Sequence, residues 1–201
     1  MPRHVDREQR TREIVDAALL ILSEGGYREL TLRNLGKQLG GSITLVTHYF
    51  ADRDLLLEGI TDVTLGDAVA FMEELAAIED PQERLEAVLK WFLPLDEYSL
   101  RLERARIALV AHQNVAPTVR DFVNKLDPAM RAVLRRAVED FVSPEELDGV
   151  VDLLRSWTTG MALSAVEHPE IWTPEHQLAT LDLFLTRMNL SPRYATGTAG
   201  D

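Results

Sequence analysis

Residues 40–50 read GGSITLVTHYF, and the fold of this chain turns on which structure can use two glycines, a serine, β-branched residues and three rings in that order. Taken alone, the run at 43–46 reads as a strand. Its flanks read otherwise. Upstream, Thr31 can cap a short helix that carries Leu32, Leu35 and Leu39 on one face and stops at Gly40 and Gly41. Ser42 can cap a second short helix, with Val46 and Phe50 one turn apart on its inner side. Two steeply crossing helices need a small residue where their backbones meet and a residue tolerant of positive φ in the turn, and Gly36 and Gly40 answer both needs. Leu35, Leu39 and Val46 then form a small internal core, which leaves Ile43, Thr44, Leu45, Thr47 and His48 off the buried stripe. β-Branched residues sustain a helix poorly, so packing against a preceding helix must hold this one. The plainer alternative is a helical hairpin that only completes a core.

Working outward, Ile14, Ala17, Ala18, Ile21 and Leu22 follow helical spacing, and Gly25-Gly26 supplies a stop. Asp52 opens a long fourth helix through Leu56, Ile60 and Val63, halted near Asp80 and Pro81. Further helices are expected over 81–93, 98–113, 118–141 with an interruption at Asp127-Pro128, 144–167 and 174–189, the last two capped by Ser143 and Thr173 ahead of Pro144 and Pro174. No segment alternates with period two between hairpin turns. The expected fold is all-α: a three-helix helix-turn-helix head over 1–50, a larger helical domain over 51–190 and a Pro-, Gly-, Thr- and Ala-rich tail over 191–201.

With 201 residues, 46% of them apolar, the chain can bury a substantial core. The longest apolar run, residues 17–22, is far too short to span a bilayer, and Asp6, Glu8 and Glu13 crowd the place of a secretory leader, so no membrane association is expected. The absence of cysteine removes disulfides, thiolate metal sites and cysteine nucleophiles, and fits a reducing cytoplasm. Net charge is −12, which by itself opposes attraction to nucleic acid. The distribution matters more. Residues 1–53 hold eight basic and seven acidic side chains, whereas the remainder holds 13 and 26. Only the amino-terminal end tolerates a polyanion.

Outward hydroxyls, an imidazole and aliphatic groups suit a major groove, where Thr and Ser bond bases or phosphates and an apolar group touches a thymine methyl. Residues 14–57, IVDAALLILSEGGYRELTLRNLGKQLGGSITLVTHYFADRDLLL, resemble the DNA-binding domain of TetR-type (tetracycline repressor-like) transcriptional regulators, with matches at Ala17, Ala18, Gly26, Tyr27, Thr31, Leu35, Gly40, Ser42, Tyr49, Phe50, Arg53 and Leu55. The resemblance implies that Thr31 and Arg33 lie near phosphate, that Ser42, Ile43, Thr44, Leu45, Thr47 and His48 enter the groove, and that Tyr49 and Arg53 grip the backbone. Arg53 also has a reason of its own, since it opens a helix whose free amides and dipole favour a phosphate. Departures are Gly36 where alanine is usual, Gly41 where valine is usual and Thr47 in place of a common tyrosine. They bear on affinity and operator choice more than on the fold.

A groove-reading helix sees one half-site, so a two-fold homodimer on near-palindromic operator DNA is expected. In 144–167, Leu147, Val150, Val151, Leu154, Trp157, Thr158 and Met161 give a broad apolar face, and Ser156, Gly160 and Ser164 a stripe of small residues; either is a dimer surface or monomer core. The resemblance implies a four-helix bundle built with the partner's copies. The segment WTTGMALSAVEHPEIWTPE, residues 157–175, is similar to the C-terminal region of betaine-repressor-like members, which does not select an effector. Trp91, Tyr98, His112, Phe122, Trp157 and Met161 are the candidates for binding an unidentified small-molecule effector, against the reading that they are plain core. Gly59 and Gly66 in the fourth helix either let effector binding swing the head or let a neighbour pack closely. No HExxH, G-x-S-x-G or phosphate-loop pattern occurs, so no catalytic residue, metal or cofactor is expected. The alternative function is a helical small-molecule-binding or protein-interaction dimer without specific DNA binding.

Overall fold

The computed structural model describes residues 2–188 and 190, with side chains from residue 7 onward. Among these the chain forms α1 (Pro2–Gly25), α2 (Leu32–Gln38), α3 (Ile43–Thr47), α4 (Arg53–Leu75), α5 (Pro81–Trp91), α6 (Glu97–Val110), α7 (Pro117–Val138), α8 (Leu147–Glu167) and α9 (Pro174–Met188), and no strand. The tail expected over 191–201 lies outside the described residues. No helix among the described residues is long and apolar enough to cross a membrane.

The described residues separate into two compact units, one made of those in 2–67 with 101–127 and one of those in 68–100 with 128–188 and 190. In the first, Ile14, Val15, Ala18 and Leu22 of α1 are buried with Leu30, Leu35, Val46, Leu56, Leu57 and Ile60. Thr31 caps α2 as expected, its Oγ1 accepting from the Asn34 amide at 3.1 Å. The chain then reverses through Gly40 at φ +67°, a backbone conformation that a β-carbon disfavours. A β-carbon on Gly36 would sit 3.0 Å from the Ile43 nitrogen, so the backbones of α2 and α3 meet there. Ser42 adopts the extended backbone of an N-cap, yet its hydroxyl makes no capping bond, contrary to expectation. The five-residue α3 therefore depends on Val46, its only buried side chain, and on the neighbours that Val46 touches.

The second unit is held by a larger apolar core that includes Leu75, Leu85, Leu89, Val133, Leu134, Leu154, Met161 and Leu181. Into it α5 carries Arg84, 6% exposed, whose guanidinium pairs with Asp140 and donates to the Ile78 carbonyl at 3.0 Å. Two sequence expectations are corrected here, and one choice that the sequence leaves open is decided. α7 runs through Pro128 without interruption: the residue forfeits one amide bond, while Phe122, Leu126, Met130 and Val133 remain buried along one side and hold the helix together. α8 begins at Leu147 rather than in the turn that contains Pro144, although Ser143 and Glu146 still bond across that turn. Val151, Leu154, Thr158 and Met161 of the apolar face of α8 are buried inside the single chain, so this face is core.

Candidate nucleic-acid interface

α3 turns Val46 inward, and Phe50 follows it into the core, 8% exposed. The Phe50 ring lies against α4 at Gly59, where an added β-carbon would come within 2.4 Å of Phe50 Cε1. Gly59 is therefore a site of close packing. Gly66 has open space around it instead, with nothing within 4 Å of an added β-carbon. Once Val46 and Phe50 are pinned, helical geometry sends the remaining side chains of this stretch outward. Ser42, Ile43, Thr44, Thr47 and His48 are exposed, and Leu45 and Tyr49 are half-buried. Ile43 is 48% exposed.

The polar groups on this surface keep capacity for a partner. The Thr31 oxygen accepts from Asn34, which leaves its O–H to donate. The Ser42 hydroxyl is uncommitted to the helix it precedes. Thr47 donates to the Thr44 carbonyl at 3.3 Å, a long local bond that phosphate can outcompete. Arg33 is exposed on α2. His48 meets Tyr49 edge to face, with ring centroids 5.3 Å apart. At the start of α4 the Asp52 carboxylate accepts from the Leu55 amide at 2.9 Å and caps the helix. Arg53 follows at the first helical position, half-buried, with its guanidinium carbon 3.6 Å from the centroid of the Tyr27 ring.

All ten residues expected to meet DNA thus fall in a short stretch of the first unit, and none is sealed in the core. The arginines of α1 divide differently. Arg10 pairs with Glu13, and Arg12 pairs with Asp67 on α4 at 2.8 Å, so the amino-terminal positive charge is partly neutralised within the chain. Sequence reasoning passed over Tyr27 as anything more than a matched position. It could not have found the support for Arg53, because Tyr27 and Arg53 meet only once α1, the turn after it and α4 have packed.

The six residues expected to bind an effector are more scattered. Trp91, Tyr98, Trp157 and Met161 belong to the second unit, and His112 and Phe122 to the first. Trp157 stacks on Phe184 with centroids 4.2 Å apart, and Met161 is buried in the same core. Trp91, 37% exposed, stacks on Phe71 at 4.6 Å. Tyr98 is 51% exposed, Phe122 is buried, and His112 packs on Tyr27 at 4.8 Å. None of the six lines the open groove of about 490 Å³ found in the head, which is bounded by Ile21, Glu24, Glu29, Lys37 and their neighbours. Among the described residues no group of three or more His, Asp or Glu could hold a metal ion.

Residues 14–60 match the family described as bacterial regulatory proteins, tetR family, and residues 81–189 match the BetI-type transcriptional repressor C-terminal family. The regulator PksA of Bacillus subtilis (strain 168) is 24% identical over 183 residues, covering 84% of this chain and 84% of that protein. The regulator BetI of Burkholderia ambifaria is 35% identical over 91 residues, 44% of this chain and 47% of that protein. Among solved structures, a transcriptional regulator from Rhodococcus sp. Rha1 superposes with a TM-score of 0.74 at 26% identity, over 87% of this chain and 94% of that one. A regulator from Saccharomonospora viridis, solved in complex with choline, shares the fold with a TM-score of 0.75 at 18% identity, over 89% of this chain and 96% of that one. With the second of its two family matches covering more than half of its length, and with the helix-turn-helix geometry found in the head, the chain belongs to the tetR family of bacterial transcriptional regulators, with a C-terminal region of the BetI type.

Proposed function

We propose that this regulator is a repressor that works in the cytoplasm as a homodimer on near-palindromic operator DNA and is released by a small-molecule effector. The observation that carries the DNA-binding part is the division of residues 42–50: Val46 and Phe50 are buried, while Ser42, Ile43, Thr44, Thr47 and His48 stand exposed on one short helix and its cap. In this reading α3 lies in the major groove. Thr44 and His48 face base edges, Ile43 and Leu45 offer apolar contact to a thymine methyl, and Ser42 and Thr47 bond bases or phosphate. Thr31, Arg33, Tyr49 and Arg53 hold the backbone on either side and set the register.

Pairing of two copies rests on α8 and α9. The buried face of α8 is committed to the core, but Leu153, Ser156, Gly160 and Leu163 are exposed along its other side, and Leu183 is exposed on α9. An apolar stripe broken by a glycine lets a second helix approach closely. Among the effector candidates, Trp157 and Met161 share the second unit's core, where a small apolar ligand would displace side-chain contacts.

Electrophoretic retardation with a duplex taken from beside the protein's own gene tests the proposal. Specific binding is expected, weakening steeply with salt and lost on Tyr49→Ala with Arg53→Ala. Equal affinity for any duplex refutes operator recognition, and a strictly monomeric mass in light scattering at working concentration refutes the two-fold arrangement. A thermal-shift screen of small molecules finds the effector by the rise in melting temperature that binding to the folded state produces.

A further inference from the structure

Arg53 is the first residue of α4, between Asp52, whose carboxylate caps the helix through the Leu55 amide, and Asp54. The face of the Tyr27 ring, which carries the negative part of the aromatic quadrupole, lies 3.6 Å from its guanidinium carbon. Tyr27 in turn packs on His112, with ring centroids 4.8 Å apart and planes inclined by 32°. His112 is itself fixed, because its Nδ1 lies 3.0 Å from the Ala108 carbonyl, an oxygen that can only accept; the proton sits on Nδ1. Six residues further on, Thr118 donates to the carboxylate of Asp54 at 2.9 Å, beside Arg53 in the chain. The joint between α6 and α7 therefore meets Tyr27 through His112, and the first turn of α7 meets the start of α4 through Thr118, although 64 residues separate Thr118 from Asp54. All of these contacts lie within one compact unit.

We propose that His112 is a positioning residue for DNA binding: through Tyr27 it holds the Arg53 guanidinium ready to pair with a DNA phosphate. This rests on the reading of Arg53 as a phosphate contact. A free arginine samples many rotamers that phosphate binding must freeze, and a side chain already stacked on a fixed ring loses fewer. His112 fixes that ring from a distant part of the sequence. The Thr118 bond to Asp54 ties the first turn of α7, just beyond His112, to the start of α4, so that the ring, the arginine and the start of α4 move together.

The test compares binding of the full chain to the duplex from beside its own gene, across a salt series, for the unaltered protein, Arg53→Ala, His112→Leu, the double variant and His112→Phe. Arg53→Ala is expected to weaken binding about tenfold and to reduce the salt slope by about one phosphate. His112→Leu should weaken binding about three- to tenfold with a reduced slope and add nothing in the Arg53→Ala background, the non-additivity that marks two residues acting as one. His112→Phe, which restores a ring against Tyr27, should recover most of the affinity. Additive losses, or a leucine variant that binds and responds to salt like the unaltered protein, overturn the proposal. If Arg53→Ala alone changes neither affinity nor slope, the phosphate role of Arg53 has failed and the proposal falls with it, a result distinct from additivity. Circular dichroism verifies that each variant folds. Should His112→Leu not fold, Tyr27→Leu against Tyr27→Phe interrogates the same column from its middle, with the same expected and overturning outcomes.

Discussion

α3 and α8 represent two ways of using a helix. α3 has five residues and buries one of them, Val46. α8 has 21 and buries Val151, Leu154, Thr158, Met161, Ala162 and Ala165. The short helix cannot persist alone, since nucleation is costly and its β-branched residues resist helical torsions. Its neighbours impose its shape: α2 approaches it at Gly36, and the Phe50 ring fastens its exit to Gly59. A helix stabilised from outside leaves nearly its whole surface free for a partner. The long helix stabilises itself and its unit, and its free surface narrows to the side bearing Leu153, Gly160 and Leu163.

The contrast breaks most severely at the ion pair inside the second unit. Asp140→Ala leaves the guanidinium of Arg84 buried without its carboxylate, and the expected cost is about 3–5 kcal/mol. Urea denaturation should show the loss; a change below about 1 kcal/mol would mean that water reaches Arg84 and that the unit does not depend on the pair.

Next in size is the pin that holds α3. Gly59→Ala puts a β-carbon where the Phe50 ring lies, which should destabilise the head by about 1–3 kcal/mol and weaken DNA binding together with it. If the variant keeps both its stability and its affinity, the outward orientation of α3 does not depend on this contact.

The caps sharpen the contrast further. Ser42 makes no capping bond, so Ser42→Ala should leave stability nearly unchanged and reduce operator affinity. Asp96, which precedes α6, accepts from the Ser99 amide at 2.7 Å, while the Ser99 hydroxyl lies 3.1 Å from the Asp96 amide. Asp96→Ala should cost about 1 kcal/mol at neutral pH. The Ser99 backbone amide first, and then its hydroxyl, hold the Asp96 carboxyl below its ordinary value of 3.8. Because its folded value is the lower one, this contribution is complete above the ordinary value and disappears as pH falls through the folded one. The two proteins should therefore converge in stability on acidification, and a difference that grows instead would contradict the cap.

The smallest expected effect separates the two glycines of α4. Gly66→Ala has open space and should stabilise the helix by about 0.5–1 kcal/mol in thermal melts. If effector-induced release from DNA survives the change, Gly66 is not a hinge.

Much of the head was legible from sequence because its signals are local. A serine or threonine before a leucine pattern marks a helix start, a glycine marks the reversal at residue 40, and spacing of four separates Val46 and Phe50 from the outward residues. These rules failed where a local signal met a longer-range one. Pro128 reads as a break, yet burial on either side of it carries α7 through. The apolar face of α8 reads equally as core or interface, because spacing identifies a face and says nothing about what covers it. His112 and Trp91 read as pocket candidates for the same reason, and the packing of His112 on Tyr27 and of Trp91 on Phe71 joins residues that sequence keeps far apart.

By itself, then, the sequence determined the all-helical class, the helix-turn-helix and the residues that α3 presents, since each follows from torsional preference and periodicity within a few turns of chain. Only the tertiary structure decided that Gly59 seats a ring, that Arg84 finds its counter-charge on Asp140 and that Arg53 rests on Tyr27 against His112. Such contacts form only after distant segments have surrendered their conformational freedom to a shared core, and the identity of the partner is set by that packing, with no trace in local spacing.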